Sequence, residues 1–199
     1  MEFDLQLEDG RVVVAHDVGG AEDLEPEQVL LALADAGAGA HLDLKFGTDD
    51  GALEIAAVAR AVELLGLERL VVTTGREEVL RVLRGWADER GLALRLGLSL
   101  GQDVAGRPLR EQVAIRWSEL RPRSRLEGCG ADVVVAHWSL ARLGVAGWAR
   151  RHGVPLVVWT VDADRELRHW LAPGRAWLVT TNRPERALEL SAAARRRRR

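Results

Sequence analysis

The chain has 199 residues, of which 47% are hydrophobic and 29% charged, a balance typical of a globular domain with a sizeable core. Its formal net charge of −2 excludes the broad positive field that attracts nucleic acid. The single cysteine excludes an internal disulfide framework, and no apolar run is long enough for stable insertion into a membrane. Together with an acidic N-terminus unlike a signal peptide, these features predict a cytoplasmic protein.

Two short strand patterns, 3–7 and 12–15, open the chain around the turn sequence Glu8-Asp9-Gly10. Glu2 and Asp4 are two residues apart on the first strand, so their carboxylates point to the same face. The hairpin brings the pair His16-Asp17 towards them. Two carboxylates beside an imidazole favour a site for a hard metal ion next to a proton-transfer group.

The rest of the sequence alternates short apolar runs with helical patterns, which predicts βαβ units and a parallel sheet. Strands are expected at 41–46, 70–74, 92–99, 132–136, 155–161 and 176–180. Helices are expected at 26–36, 51–65, 77–90, 140–152, 164–171 and 184–194. Segment 101–128 is expected to be a loop with one helical piece. The composition thus predicts one domain over 1–190, followed by a disordered basic tail, 191–199, which ends in five arginines.

With the first strand, the chain has seven candidate parallel strands. A doubly wound sheet needs about five or six strands and a TIM barrel needs eight. Seven strands therefore favour a (β/α)8 barrel that lacks its first unit. In such a barrel the active site lies at the carboxyl ends of the strands. The chemically capable residues at those ends are Asp4, Gln6, Asp43, Lys45, Thr73, Thr74, Ser99, His137, Trp159, Thr160, Thr181 and Asn182.

This set suits metal-assisted phosphoryl chemistry, because acids hold a divalent cation, lysine neutralises phosphate oxygens and histidine moves a proton. Structural interpretations stay open beside it. Lys45 could simply pair with Asp43, and Trp159 could be either a core residue or an apolar wall for a substrate. His137 is a minor candidate. His41 begins its strand, which places it at the stability face of a barrel.

The motifs, taken in order, resemble those of the glycerophosphodiester phosphodiesterase family. That family carries Glu-x-Asp on one barrel strand, then a strand that ends in His-Asp, as at Glu2-Phe3-Asp4 and His16-Asp17. A Glu-x-Lys strand follows, for which this chain has Asp43-Leu44-Lys45. Its late Trp-Thr-Val and Thr-Asp-x-Pro motifs are similar to Trp159-Thr160-Val161 and Thr181-Asn182-Arg183-Pro184.

The resemblance implies a TIM barrel of the phospholipase-C-like kind. It also implies hydrolysis of a small glycerophosphodiester to an alcohol and glycerol 3-phosphate, as part of lipid metabolism. In this chain Glu2, Asp4 and Asp43 would hold Mg²⁺ or Ca²⁺, and His16 would be a catalytic histidine. Lys45 would contact the phosphate, and Trp159 would pack on the glycerol side.

The chain also departs from the family pattern. The family's first strand, which ends in His-Arg, and its Pro-Glu-Asn stretch have no counterpart, so we expect a first unit to be encoded upstream of Met1, where a signal peptide could also lie. Asp43 is one methylene shorter than the usual Glu, and Asn182 stands where the family has an acid.

An alternative function stays open: a catalytically impaired binding module that forms homo-oligomers through open barrel edges. A phospholipase D-like lipid phosphodiesterase is a further alternative within the enzyme class.

Overall fold

The structure is a computed structural model that describes residues 1–16, 24–101, 106 and 108–196. Asp17 and residues 197–199 of the expected tail lie outside the described residues. The chain divides into two compact units, and each is described by itself below. The first unit comprises Met1–Leu98 and Leu126–Asp132, and the second comprises Ser99–Arg125 and Val133–Arg199.

The elements alternate between strand and helix along most of the chain. The strands are β1 (Glu2–Glu8), β2 (Arg11–Val14), β3 (Ala40–Leu44), β4 (Leu70–Thr74), β5 (Leu96–Leu100), β6 (Val133–His137), β7 (Leu156–Trp159) and β8 (Leu178–Val179). The helices are α1 (Pro26–Asp35), α2 (Ala52–Leu65), α3 (Glu77–Glu89), α4 (Leu109–Leu120), α5 (Arg123–Cys129), α6 (Trp138–Leu140), α7 (Ala146–His152), α8 (Asp164–Trp170) and α9 (Pro184–Arg196). A short 3₁₀ turn, Leu67–Arg69, precedes β4, and a π-helical turn, Ala141–Val145, joins α6 to α7.

The sheet of the first unit has the strand order β2-β1-β3-β4-β5, to which β5 contributes residues 96–98. Strand β2 pairs antiparallel with β1, and the remaining neighbours are parallel. The hairpin turn places both Asp9 and Gly10 at positive φ, +48° and +76°, which an Asp-Gly pair adopts more readily than other residues. Local turn chemistry therefore sets the register of β1 against β2.

Amphipathic helices cover this sheet. In α3 the buried residues Val79, Leu80, Leu83 and Ala87 lie on one side of the helix and form one apolar stripe. Helix α1 begins at Pro26, whose fixed φ suits the first helical position, and Gln28 accepts a hydrogen bond from the backbone N–H of Glu25 at 3.4 Å. The buried stripe, together with Leu42 and Leu44 of β3, forms the apolar core of the unit.

The second unit contains the parallel strands β6-β7-β8 and the helices that follow them. Its core includes Val133, Val135 and Val157, all buried. Helix α7 ends at Gly153, which adopts the left-handed conformation at φ +68°. Each element again follows the alternation that the sequence predicts.

The expected fold class, an α/β fold of the TIM-barrel type with seven β/α strands, is confirmed by β1 and β3–β8. Segment 101–128 differs from expectation, because it holds α4 and most of α5 instead of a loop with one helical piece. Buried Glu119 anchors α4 by accepting hydrogen bonds from Arg116 at 2.6 Å and from the backbone of Gly101 at 2.8 Å. Among the described residues, no helix is both long and apolar enough to cross a bilayer.

Candidate metal centre

The predicted carboxylates converge at one place in the first unit. Glu2 and Asp4 alternate along β1 with Phe3 and Leu5, which are buried against the core, so both acids face the other side of the sheet. Asp4 lies directly beside Asp43 in the parallel register of β1 and β3. One carboxylate oxygen from each of the three acids lies within 4.8 Å of the other two.

Lys45 lies among these acids. Its Nζ donates a hydrogen bond to Asp43 Oδ2 and lies 3.3 Å from Asp4 Oδ1. Lys45 is the only lysine in the chain, which is otherwise rich in arginine. The sequence alone shows that this lysine is unique. The choice of lysine matters because its ammonium is a compact point charge that an arginine does not replace. Lys45 thus contacts both acids, not Asp43 alone.

The acids interact strongly with one another. Burial raises the pKa of Glu2, and the charges of Asp4 and Asp43 raise it further. Burial also raises the pKa of Asp4, although the Lys45 ammonium opposes the shift. Burial lowers the pKa of Lys45, but Asp43 and Asp4 raise it by more, so Lys45 keeps its charge. The cluster therefore has an excess of negative charge.

A divalent cation fits this cluster on two observations. Three carboxylates and one ammonium leave two negative charges uncompensated. Asp4 Oδ1 is buried, and its contact with Lys45 Nζ at 3.3 Å is an ion pair without hydrogen-bond geometry; no other residue that the structure describes donates to it. A buried oxygen with a free lone pair is costly unless a cation or donor satisfies it. Hard oxygen ligands of this kind suit Mg²⁺ and Ca²⁺.

Sequence reasoning missed a chain of hydrogen bonds behind Asp43. Thr73 Oγ1 donates to Asp43 Oδ1 at 2.9 Å, and His41 Nε2 lies 2.8 Å from the same Thr73 oxygen. Thr73 is fully buried and His41 is nearly so. Burial lowers the pKa of His41 to about 4, so its ring is neutral at pH 7. His41 therefore belongs to the surroundings of the acids and not merely to a stability face.

His16 follows β2 at the end of the hairpin, and its side chain is exposed. The backbone N–H of Ala15 donates to the carbonyl oxygen of Asp4 at 3.2 Å, and Gln6 Nε2 donates to the carbonyl oxygen of His16 at 3.2 Å. The charge of His16 contributes to lowering the pKa of both Glu2 and Asp4. The hairpin thus brings His16 within electrostatic range of the acids.

Trp159 belongs to the second unit, where it lies opposite His137 in the register of β6 and β7. The two ring centroids are 5.5 Å apart in an edge-to-face arrangement. One part of the indole packs against the buried valines of the unit, while the rest is accessible. His137 Nδ1 accepts from the backbone N–H of Ser139 at 3.4 Å, which favours the tautomer with hydrogen on Nε2. Trp159 and His137 therefore place an aromatic surface beside a hydrogen-bond donor.

Asn182 is paired with the carboxylate of Asp162. The Asn182 side chain donates to Asp162 Oδ2 at 3.0 Å, and its backbone N–H donates to Oδ1 at 2.9 Å. Thr181 Oγ1 donates to Oδ1 at 3.1 Å. Although burial raises the pKa of Asp162, these hydrogen bonds and the charge of Arg183 lower it overall. The sequence did not reveal this pair because the two residues follow different strands.

Comparison with known proteins identifies the fold. No protein-family profile matches the chain, and no curated protein matches it. A glycerophosphodiester phosphodiesterase from Parabacteroides distasonis matches 98% of this chain with 84% of its own, at a TM-score of 0.72 and 15% identity. A phosphodiesterase from Oleispira antarctica, solved in complex with the product sn-glycerol-3-phosphate, matches 95% of this chain with 83% of its own, at a TM-score of 0.64 and 15% identity. Over nearly its whole length, the chain therefore has the fold of glycerophosphodiester phosphodiesterases of known structure.

Proposed function

We propose that this protein is a metal-dependent hydrolase that cleaves small glycerophosphodiesters to an alcohol and glycerol 3-phosphate, in lipid metabolism. The observation that carries the proposal is the convergence of Glu2, Asp4 and Asp43 within 4.8 Å, on a fold shared with glycerophosphodiester phosphodiesterases. The product found with the Oleispira antarctica phosphodiesterase supports the same substrate class.

Glu2, Asp4 and Asp43 would hold the divalent cation, Mg²⁺ or Ca²⁺. When bound, the cation supplies Lewis-acid stabilisation of the charge on the phosphate oxygens. The carboxylates would also position the cation, since β1 and β3 are paired in fixed register and hold Asp4 beside Asp43. Lys45, whose side chain is 40% exposed, can reach out from the acids to a phosphate oxygen.

Hydrolysis needs a proton for the departing alcohol. Water attacks phosphorus and releases one proton to the solvent, the bond from phosphorus to the head-group oxygen breaks, and that oxygen takes up a proton. His16 is the residue that we assign to this transfer, because the hairpin holds it near the acids in an exposed position where a substrate can reach it.

We assign the glycerol side of the substrate to Trp159. Its partly accessible indole offers an apolar surface, and His137 beside it offers a hydrogen-bond donor for a hydroxyl group. A glycerol backbone has both an apolar carbon face and hydroxyls, so this pairing matches its chemistry.

The test is phosphorus NMR of the protein incubated with glycerophosphocholine and Mg²⁺ or Ca²⁺. Formation of glycerol 3-phosphate, which stops on chelation with EDTA and resumes on metal addition, is the expected result. Unchanged substrate, or hydrolysis that continues in EDTA, would overturn the proposal. Glycerophosphoethanolamine and glycerophosphoglycerol in parallel samples would identify the preferred head group.

A further inference from the structure

The carboxylate of Asp43 is fixed from two sides. Lys45 Nζ donates to its Oδ2, and Thr73 Oγ1 donates to its Oδ1 at 2.9 Å. Thr73 lies directly opposite Asp43 in the parallel register of β3 and β4, so the contact is set by the sheet itself. A carboxylate with both oxygens bonded has little freedom to rotate.

The direction of the hydrogen bonds follows from the number of hydrogens available. An ionised carboxylate only accepts, so the single hydroxyl hydrogen of Thr73 goes to Asp43. Thr73 Oγ1 must then accept from His41 Nε2, which lies 2.8 Å away and carries the ring hydrogen. The hydrogen bonds therefore run in one direction, from His41 through Thr73 to Asp43.

This chain of hydrogen bonds is protected from solvent. Thr73 is 0% exposed and His41 is 9% exposed, so water does not compete for their polar atoms. In a buried setting each hydrogen bond strengthens its neighbour by polarising it. His41 donation thus makes the Thr73 hydroxyl a better donor and holds Asp43 more firmly.

We propose that Thr73, supported by His41, is a positioning residue that orients Asp43 for a divalent cation and thereby sets the affinity of the metal site. This inference rests on the proposed function, since it assigns Asp43 to the metal. Partners that orient a metal ligand typically change metal affinity by about 10–100-fold when they are removed. Thr73 and His41 touch neither the substrate nor the cation; they act through Asp43.

The test measures Mg²⁺ and Ca²⁺ affinity by calorimetry, which needs no catalytic activity. Thr73→Val keeps the shape of the side chain but removes the donor, and we expect it to weaken binding by about 10-fold or more. Thr73→Ser restores the hydroxyl and is expected to restore wild-type affinity. Thr74→Val is the matched control, since Thr74 is equally buried on the same strand and accepts a hydrogen bond from the backbone N–H of Arg76.

The variant His41→Leu tests the same inference separately. It is sufficient if circular dichroism shows that Thr73→Val does not fold. His41→Leu is expected to weaken metal binding by less than Thr73→Val. The double variant is expected to bind the metal no more weakly than Thr73→Val alone, because His41 acts through Thr73.

The outcomes separate the two proposals. Wild-type protein that binds neither metal would overturn both the metal site and this inference. Wild-type binding that Thr73→Val and His41→Leu leave unchanged would overturn the inference alone. Equal losses in Thr73→Ser, Thr73→Val and Thr74→Val would also overturn it, since the effect would then come from packing of the strand.

Discussion

The Nζ atom of Lys45 lies 3.3 Å from Asp4 Oδ1, the buried carboxylate oxygen that accepts no hydrogen bond among the described residues. The same ammonium donates to Asp43, so one positive charge is shared by two acids from neighbouring strands. Lys45 thereby reduces the repulsion within the acid cluster while its partly exposed end remains able to contact a phosphate.

Replacement of Lys45 by methionine tests this double role. We expect kcat/KM for glycerophosphocholine to fall by about 10–100-fold, the effect of losing a hydrogen bond to a charged group. The uncompensated acids also gain affinity for protons, so the pKa of Asp4 rises further. Because Lys45 is the only lysine, reductive methylation with ¹³C-formaldehyde labels it alongside the N-terminus only. The Lys45 resonance should shift on metal addition; an unchanged resonance and unchanged kcat/KM would contradict its placement.

Replacement of Glu2 by glutamine should stabilise the metal-free protein. Because the pKa of Glu2 is raised, the folded chain keeps a proton on Glu2 at pH values between the usual pKa of 4.5 and the raised value. The unfolded chain has already released this proton in that pH range. Stability therefore falls as pH rises through this window. Without the charge, the free energy of unfolding at pH 7 should rise by up to about 0.5 kcal/mol, which is measured as a higher temperature of thermal unfolding. Glu68→Gln, at a carboxylate that is 92% exposed, is the control; equal effects of both changes would contradict the prediction.

Replacement of His16 by alanine should lower kcat by about 10²–10⁴-fold, the usual contribution of a general acid or base. Metal affinity should stay near that of the wild type, because His16 is not among the three clustered carboxylates. His152→Ala, at an exposed histidine on α7, controls for loss of a surface imidazole. A rate that His16→Ala leaves unchanged would remove His16 from the mechanism.

The pair Asp162 and Asn182 offers a test by exchange. Asn182→Asp places two carboxylates together and should cost about 0.5–1.5 kcal/mol of unfolding free energy, the value of the lost hydrogen bond. Adding Asp162→Asn recreates one acid and one amide and should recover most of that loss in thermal melts.

The lowered pKa of Asp162 adds a pH dependence to this pair. The stability that it provides is present above the usual pKa of 3.8 and is lost as pH falls through the lowered value.

In the exchange experiment, a double variant as unstable as Asn182→Asp alone would show that Asp162 and Asn182 do not act together.

Much of the site was accessible from sequence because strand alternation is local. The spacing of Glu2 and Asp4, and of Asp43 and Lys45, sets the face on which each side chain lies. The contact from Thr73 to Asp43 was not accessible, since it depends on the register between β3 and β4. The contact of His41 with Thr73 was likewise not accessible, because its partner lies on the neighbouring strand. Registers are set by packing of the whole sheet, which no local pattern encodes.

The helices of segment 101–128 were missed for a related reason. Scattered arginines and the two flanking prolines obscure the bounds of α4, whose anchor is a buried acid, Glu119. The partners of Glu119 include the backbone of Gly101, eighteen residues earlier. A charged residue that is buried because of a distant backbone donor has the sequence signature of an exposed one.

We propose that Glu2, Asp4 and Asp43 hold a divalent cation that glycerophosphodiester hydrolysis requires. The most direct measurement compares wild-type protein with Asp4→Asn, which removes the charge at the buried oxygen with little change in shape. Calorimetry with Mg²⁺ and Ca²⁺ and release of glycerol 3-phosphate from glycerophosphocholine are measured on the same samples. We predict that the wild type binds the metal and releases glycerol 3-phosphate, and that Asp4→Asn remains folded but loses both. Metal binding and hydrolysis that persist unchanged in Asp4→Asn would contradict the account.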